Sequence, residues 1–160
     1  MKLKYTKFQI VLETIGLLLL IGMIIFVYIN WNQIPQQVPT HYNAQGEIDS
    51  WGSKYSILSL LIISILLYGF ITAVSFFPQI WNVPVQVTAE NKEAVYLSTK
   101  NLLIFVKVEI ITLFFYLEYH TITSQPLPII FLPVVLITLF GTIIFFTVQT
   151  IRLGKGSSQN

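Results

Sequence analysis

The sequence predicts an all-α membrane protein with four transmembrane helices, cytoplasmic termini and an ordered extracellular loop between helices 1 and 2. Apolar residues make up 54% of the chain and charged residues only 10%, whereas a soluble domain has about 25% charged residues. The mean hydropathy is +0.73. Long apolar stretches and a one-sided distribution of basic residues also point to a multi-pass membrane protein.

Four stretches are long enough to span a bilayer, because about 20 mainly apolar residues cross a hydrocarbon core of about 30 Å. The first apolar run is too long for a secretory signal and lacks a small-residue cleavage site, so we interpret it as a retained helix. The predicted membrane domain covers residues 1–153, with spans at about 8–28, 57–77, 102–119 and 129–151, an outer loop at 31–54 and an inner loop at 78–100. Residues 154–160 are predicted to form a disordered tail.

Lysine and arginine residues orient the spans, since short cytoplasmic loops carry an excess of them. In the four-span arrangement Lys54 faces outward and Lys107 lies inside a span. The other seven basic residues share the opposite side: Lys2, Lys4, Lys7, Lys92, Lys100, Arg152 and Lys155. This bias predicts a cell-membrane protein with both termini in the cytoplasm and the 31–54 loop outside.

The outer loop has the composition of a folded cap rather than of a flexible linker. Its two prolines favour an extended entry into the loop. Turn-forming residues then predict tight turns at 43–46 and at 49–52. We expect Gly46 and Gly52 to adopt positive φ, a conformation that is costly for residues with a Cβ atom.

Three side chains of the loop are candidate metal ligands: His41, Glu47 and Asp49. Imidazole and carboxylate groups are ligands for zinc and similar divalent ions. Their spacing matches neither the His-Glu-x-x-His helix nor the calcium-loop pattern. The alternative is that they bond to turn amides, with Asp49 capping the next helix.

Three ionisable residues within the predicted spans form a candidate cluster: Glu13, Lys107 and Glu109. Such residues are costly in a bilayer and usually face the bundle interior, where they pair or line a pathway. One interpretation is a cluster that shuttles protons or gates a conformational change. The other is a packing pair near the inner interface, or snorkelling toward cytoplasmic water.

Several function classes lack a signature in the sequence. It contains no Gly-x-Ser-x-Gly elbow, no P-loop and no His-Glu-x-x-His motif, so we predict no enzymatic activity and no cofactor. The absence of cysteine excludes disulfides, thiolate metal sites and a cysteine nucleophile. A net charge of +2 is accounted for by topology, so nucleic-acid binding has no support.

The outer loop carries the pattern IPQQVPTHYNAQGEIDSWGSK between two spans. The residues of this pattern are Pro35, Pro39, Thr40, His41, Tyr42, Asn43, Gly46, Asp49, Trp51, Gly52 and Lys54. With them the chain resembles the bacterial membrane family catalogued as domain of unknown function 1648 (DUF1648), over residues 8 to about 120 and more weakly after the second span. Larger relatives in this resemblance are SdpI-like immunity proteins, which protect a producer from its own secreted toxic peptide and can report on that peptide.

The resemblance implies an integral membrane accessory protein that recognises or neutralises an extracellular antimicrobial peptide or senses envelope stress. Its expected partners are the lipid bilayer and a secreted peptide or another membrane protein. Two alternatives remain: a small transporter or ion-coupled component that uses the charged cluster, and an outward-facing metal-dependent membrane enzyme. The expected recognition residues are His41, Tyr42, Asn43, Gly46, Asp49, Trp51, Gly52 and Lys54.

The basic bias generates a topological prediction. A reporter enzyme that is active only outside the cytoplasm should be active when inserted beside Gln45 and inactive when fused after Asn160, because the two positions fall on opposite sides. Reporter activity per unit of fusion protein is the measurement, and a fluorescent protein that matures only inside is the reciprocal control. Outside activity at Asn160 would contradict the four-span arrangement.

Overall fold

A computed structural model describes residues 3–155 of the chain, and these residues are mostly helical. The predicted four-helix content is confirmed. The elements are helix α1 (Lys7–Asn30), strands β1 (Gln37–Tyr42) and β2 (Ile48–Ser53), helix α2 (Ser56–Ser75), a short 3-10 helix (Pro78–Ile80), helix α3 (Lys92–Thr123) and helix α4 (Phe131–Lys155).

Three of the helices, α1, α2 and α4, are long and apolar enough to cross a membrane. Helix α3 is not among them, because it carries three lysines and three glutamates along its length: Lys92, Glu93, Lys100, Lys107, Glu109 and Glu118. Its crossing of the bilayer at 102–119 therefore stays a prediction. The helix has 32 residues, which corresponds to a rise of about 48 Å, more than a hydrocarbon core needs.

Helix α3 is the centre of the bundle and packs against α1, α2 and α4, whereas α1 and α2 have few contacts with each other. Helix α2 packs mainly against α3. Of the α2 residues, only Ile57, Ser64 and Ser75 are buried. On α3 one stripe is buried, made of Lys100, Ile104, Lys107, Ile111 and Glu118.

The outer surfaces of α1, α2 and α4 are apolar. Leu18, Leu66 and Ile137 have exposed fractions of 61%, 65% and 74%. Charged side chains, in contrast, are buried on α3. This distribution reverses that of a soluble protein and is typical of a bundle whose outer solvent is lipid. The three apolar helices thus indicate a membrane protein.

Helix α1 begins with a capping box. Thr6 accepts a hydrogen bond from the Gln9 backbone amide at 3.1 Å, and the Gln9 side chain accepts one from the Thr6 amide at 3.1 Å. These bonds satisfy two backbone donors at the helix end. Gln9 also donates to Asn101 of α3 at 2.7 Å, so the same residue that starts α1 joins it to the central helix.

The predicted all-α description is wrong for the outer loop, where β1 and β2 form an antiparallel hairpin. The turn predicted at 43–46 is present, and Gly46 has a φ of +85°. The turn predicted at 49–52 lies inside β2, because these residues pair with β1 instead. Asp49 does not cap α2, which begins after Tyr55 without a side-chain cap.

The hairpin is packed onto one end of the bundle. A core cluster joins Val38 of β1 and Ile34 to Val27 of α1, Ile57 of α2 and Ile122 of α3. The turn reaches the connection between α3 and α4, where the Leu127 amide donates to the Gly46 carbonyl at 2.8 Å. The hairpin is therefore part of the folded body.

The start of α1 and the end of α2 lie together at the opposite end of the bundle. Tyr5 lies 3.3 Å from Ser75 between their hydroxyl oxygens, and Gly154 of α4 packs against Val85. The inner loop predicted at 78–100 is shorter than expected because α3 begins at Lys92. Residues 154 and 155 of the predicted tail belong to α4, and the rest of that tail lies outside the described residues.

The Gly46 contact generates a stability prediction. Gly46→Val should lower the yield of folded protein and its melting temperature, because its Cβ would clash with the Leu127 carbonyl and its φ is positive. A residue with a Cβ at such a φ costs about 1–3 kcal/mol. Thermal unfolding and size-exclusion profiles in detergent measure both effects.

The matched control is Gly69→Val, since a Cβ at Gly69 meets no atom within 4 Å in the described part of the chain. Its own cost is limited to the small propensity difference between residues in a helix. Equal yields and melting temperatures for both variants would show that the Gly46 turn does not constrain the fold.

Candidate functional site

The tip of the hairpin is organised by Asn43. Its side-chain oxygen accepts hydrogen bonds from the backbone amides of Gln45 at 3.0 Å and Glu47 at 2.9 Å, and its amide nitrogen donates to the Glu47 carboxylate at 3.0 Å. The Gly46 amide donates to the Asn43 carbonyl at 2.9 Å. Asparagine bonds of this kind stabilise a turn locally. Asn43 and Gly46 thus build the turn.

His41 and Asp49 form a pair across the two strands. The distance between His41 Nδ1 and Asp49 Oδ1 is 2.6 Å, and the two side chains are 67% and 42% exposed. A pair this exposed contributes little to stability, since water and salt screen it. Its position makes it a donor–acceptor group that a ligand at the hairpin surface can reach.

The structure brings two of the three candidate metal ligands together. Glu47 bonds to Asn43 instead of joining His41 and Asp49. Within residues 3–155 there is no group of three histidine, cysteine, aspartate or glutamate side chains with the proximity that a metal site needs. The three-ligand arrangement considered from the sequence is therefore not formed by these residues.

Trp51 is the large exposed aromatic side chain of the hairpin, with an exposed fraction of 52%. It lies opposite Pro39 in the strand register. Gly52 lies opposite Val38, and its expected positive φ is wrong, because Gly46 alone has one among the glycines of residues 3–155. A glycine is favoured there for another reason: a Cβ would approach the Thr40 methyl group to 2.7 Å.

Tyr42 and Lys54 face the body of the protein rather than a ligand. Burial raises the pKa of the Tyr42 hydroxyl, an effect that the Thr121 hydroxyl partly opposes. Lys54 Nζ lies 4.5 Å from the centroid of the Trp31 ring and donates to the Trp31 carbonyl at 3.4 Å. This cation–π contact closes the base of the hairpin on the end of α1.

The eight expected recognition residues therefore divide into two sets. His41, Asp49 and Trp51 are exposed on the hairpin surface, and we name these three the exposed triplet. The other five shape or attach the hairpin: Tyr42, Asn43, Gly46, Gly52 and Lys54. Sequence reasoning identified both sets, but only pairing and burial separate them.

A second group of functional candidates lies inside the bundle. Lys107 Nζ of α3 donates to Glu13 Oε2 of α1 at 2.6 Å and to the Thr72 hydroxyl of α2 at 2.8 Å. It also lies 4.6 Å from the centroid of the Tyr68 ring. Lys107 is 1% exposed and Glu13 18% exposed. The pair thus joins three helices, and sequence spacing gave no indication of Thr72 or Tyr68.

Glu109 is not part of that pair. It faces α4, where the Thr142 hydroxyl donates to its Oε1 atom. Its Oε2 atom is buried and has no hydrogen-bond partner in the described part of the chain. Two residues after Lys107 on a helix, Glu109 projects from a different face, so the predicted three-residue cluster is divided between two helix interfaces.

Two further buried ionisable side chains follow the same stripe of α3. Lys100 is 1% exposed and its Nζ lies 3.2 Å from the centroid of the Tyr5 ring. Glu118 is fully buried, and neither of its oxygens has a hydrogen-bond partner among residues 3–155. Glu118 follows Lys107 by eleven residues, or three helical turns, so helical spacing would have identified it.

His120 belongs to the last turn of α3. It is 7% exposed. Its ring lies 4.5 Å from that of Tyr116 and 5.5 Å from that of Tyr119, measured between centroids. The imidazole is therefore part of an aromatic cluster at the end of the helix and is not available to a ligand in the surrounding water.

The Lys107–Glu13 pair generates a charge-exchange prediction. Lys107→Glu should lower the yield of monodisperse protein, because it places two carboxylates together inside the bundle. Breaking a buried pair costs about 3–5 kcal/mol. Adding Glu13→Lys in the same chain should restore part of the yield, measured by size-exclusion chromatography of a fluorescent fusion.

The control combines Lys107→Glu with Glu93→Lys. Glu93 is exposed in the first turn of α3, about 21 Å along the axis from Lys107, so this exchange conserves net charge without restoring the contact. A Glu13→Lys double variant as poor as the sum of its single changes would show that Glu13 does not stabilise Lys107.

A comparison with known protein families finds a match in the segment that contains parts of α1 and α2 and the hairpin between them. Residues 18–66 match the family described as Domain of unknown function (DUF1648). They extend from the middle of α1 through the hairpin to the middle of α2. No curated protein and no solved structure matches the chain. The match supports the predicted resemblance to the DUF1648 family over these residues, and that family's description assigns no activity.

Proposed function

We propose that this protein is a bacterial cell-membrane accessory protein whose outer hairpin recognises an extracellular peptide, providing immunity to that peptide or sensing of envelope stress. The observation that carries the proposal is the exposed triplet on a hairpin that is fixed to the bundle. The seven-to-one basic bias supports an extracellular position for the hairpin. The DUF1648 match supports the resemblance from which the SdpI-like immunity role was inferred.

The fixed geometry of the hairpin favours recognition. Val38 is fully buried in the core cluster, Leu127 bonds to Gly46 at the tip, and Lys54 contacts Trp31 at the base. These three attachments lie at different points along the hairpin. A surface that is already ordered loses less conformational entropy when a ligand binds, which increases affinity.

The hairpin also offers the chemistry that an extended peptide requires. Strand β2 pairs only with β1 in the described part of the chain, so its outer edge has unpaired backbone groups. A peptide can add to such an edge through main-chain hydrogen bonds. The exposed triplet then supplies a polar pair and an aromatic surface, and tryptophan is among the side chains that most often dominate binding energy.

A small transporter or ion-coupled component is the second candidate. The Lys107–Glu13 pair favours it, because a buried ion pair that contacts three helices can change partners when a neighbouring group gains or loses a proton. The two candidates use different ends of the molecule. Peptide recognition requires the exposed triplet and tolerates Glu13→Gln, whereas ion coupling requires Glu13 and tolerates changes in the triplet.

The proposal predicts that His41→Ala retains membrane abundance but loses most of the protection. One exposed side chain contributes little to folding, while a binding residue contributes to affinity, about tenfold for each 1.4 kcal/mol. A sensitive bacterial host expresses each variant and receives concentrated culture supernatant from the source cells. Survival is compared at equal membrane abundance, measured by immunoblot.

Gln45→Ala is the matched control, because Gln45 is exposed in the same turn and contributes only its backbone amide to Asn43. It should protect like the wild type. Full protection by His41→Ala, together with loss of protection by Glu13→Gln at equal abundance, would reject hairpin recognition in favour of the ion-coupled candidate.

A further inference from the structure

Strand β2 is the outer strand of the hairpin. Strand β1 packs against α3 and supplies Val38 to the core cluster. Most of β2, in contrast, is exposed, namely Asp49, Ser50, Trp51 and Ser53. Strand β2 pairs with β1 and with no other strand of residues 3–155. One edge of β2 therefore has no strand beside it, and we name it the free edge. Such an edge is a template for a further strand.

The hydrogen-bond pattern of the hairpin directs the backbone of Trp51 to the free edge. The Lys54 amide donates to the Gln36 carbonyl at 3.0 Å, and hydrogen-bonded and non-hydrogen-bonded pairs alternate along an antiparallel ladder. Three positions further along, Pro39 and Trp51 form a non-hydrogen-bonded pair, which agrees with the missing N–H group of proline. The amide and the carbonyl of Trp51 consequently point away from β1, where a third strand can pair with them.

Asp49 and Trp51 lie on the same face of β2. The residues that alternate with them both face Thr40 of β1. The Ser50 and Thr40 hydroxyl oxygens are 3.3 Å apart, and a Cβ at Gly52 would approach the Thr40 methyl group to 2.7 Å. Because successive side chains of a strand point to opposite faces, Asp49 and Trp51 project together from the other face. A strand added at the free edge would place side chains two positions apart beside them.

The exposed charge at the hairpin end of the bundle is mainly acidic. Glu47 and Asp49 are exposed, whereas Lys54 is held in the cation–π contact at the base of the hairpin. The connection at 124–130 has no charged residue. The Asp49 side chain is 42% exposed, and His41 contacts only its Oδ1 atom within residues 3–155. The Asp49 carboxylate is therefore accessible to a positively charged donor of a ligand.

We propose that the free edge binds a cationic peptide as an added strand, with a basic side chain beside Asp49 and an apolar side chain two positions away on Trp51. This inference rests on the proposed function and names the class of peptide. Opposite charges and aromatic pairs across strands both stabilise a sheet. A second copy of the chain fits the free edge less well, because it would bring the Glu47 and Asp49 carboxylates of both copies into one sheet.

The test uses the full chain in phosphatidylcholine nanodiscs and a fluorescein-labelled synthetic peptide, Thr-Arg-Thr-Tyr-Thr-Arg-Thr-Tyr-Thr. In a strand its arginine and tyrosine side chains share one face. Fluorescence anisotropy measures binding, and empty nanodiscs are the blank for partition into lipid. Saturable binding is expected. The same peptide with glutamate in place of arginine should bind at least about tenfold more weakly, because a like-charge pair replaces an opposite-charge pair.

Backbone methylation tests the added strand itself. The peptide residue opposite Trp51 directs its own amide toward β2, so N-methylation of the two tyrosines should abolish saturable binding. N-methylation of two interior threonines is the matched control, because the amides of alternate residues point away from β2. The control peptide should bind like the unmethylated one.

One variant of the protein tests the charge. Asp49→Asn should weaken binding of the arginine peptide about threefold to fivefold, the size of an opposite-charge pair across strands. High salt should reduce the difference between Asp49→Asn and the wild type. Glu93→Gln, which removes an exposed carboxylate in the first turn of α3, should bind like the wild type.

Any of four results would overturn the inference: no saturable binding, equal binding of the glutamate peptide, undiminished binding after tyrosine methylation, or a dimer of the chain that Trp51→Pro converts to monomer. The survival assay with His41→Ala tests the proposed function separately, since it does not depend on the charge of the peptide. Loss of protection by His41→Ala combined with one of these four results would retain hairpin recognition and reject the cationic added strand.

Discussion

The ion pair between Lys107 and Glu13 determines how the central helices fit together. An ammonium group removed from water costs several kcal/mol unless it is paired and hydrogen-bonded. Lys107 meets this requirement only where Glu13 of α1 and Thr72 of α2 lie beside it. One side chain thereby constrains the rotation and the depth of three helices. The polar contacts of Tyr5 and Gln9 at the nearby end of the bundle depend on the same alignment.

Burial of charge on α3 also explains the division of roles among the helices. Helices α1, α2 and α4 present apolar surface to the outside and indicate a membrane protein. Helix α3 has a lower apolar content and is covered by its neighbours. Two of its glutamates, Glu109 and Glu118, lie on different faces and retain oxygens without partners in the described chain. Most of the buried ionisable side chains therefore lie on α3, the helix that contacts every other helix.

The hairpin is packed against the helices and is part of the same folded unit. Its strands are short, and an isolated two-stranded hairpin is marginally stable in water. Stability comes from the core cluster around Val38 and from the bond between Leu127 and Gly46. The Gly46 contact therefore attaches the hairpin tip to the connection between α3 and α4.

The sequence by itself predicted four helical segments, the turn at Asn43 to Gly46, and ionisable residues that pair or line a pathway inside the bundle, since these follow from local hydrophobicity, turn chemistry and the cost of buried charge. It also identified the loop residues, through a resemblance supported at residues 18–66. Tertiary structure decided what depends on distant partners. Strand pairing turned the second predicted turn into β2, and packing made α3 the interior helix. It also separated Glu109 from Glu13, because residues two apart on a helix face different neighbours.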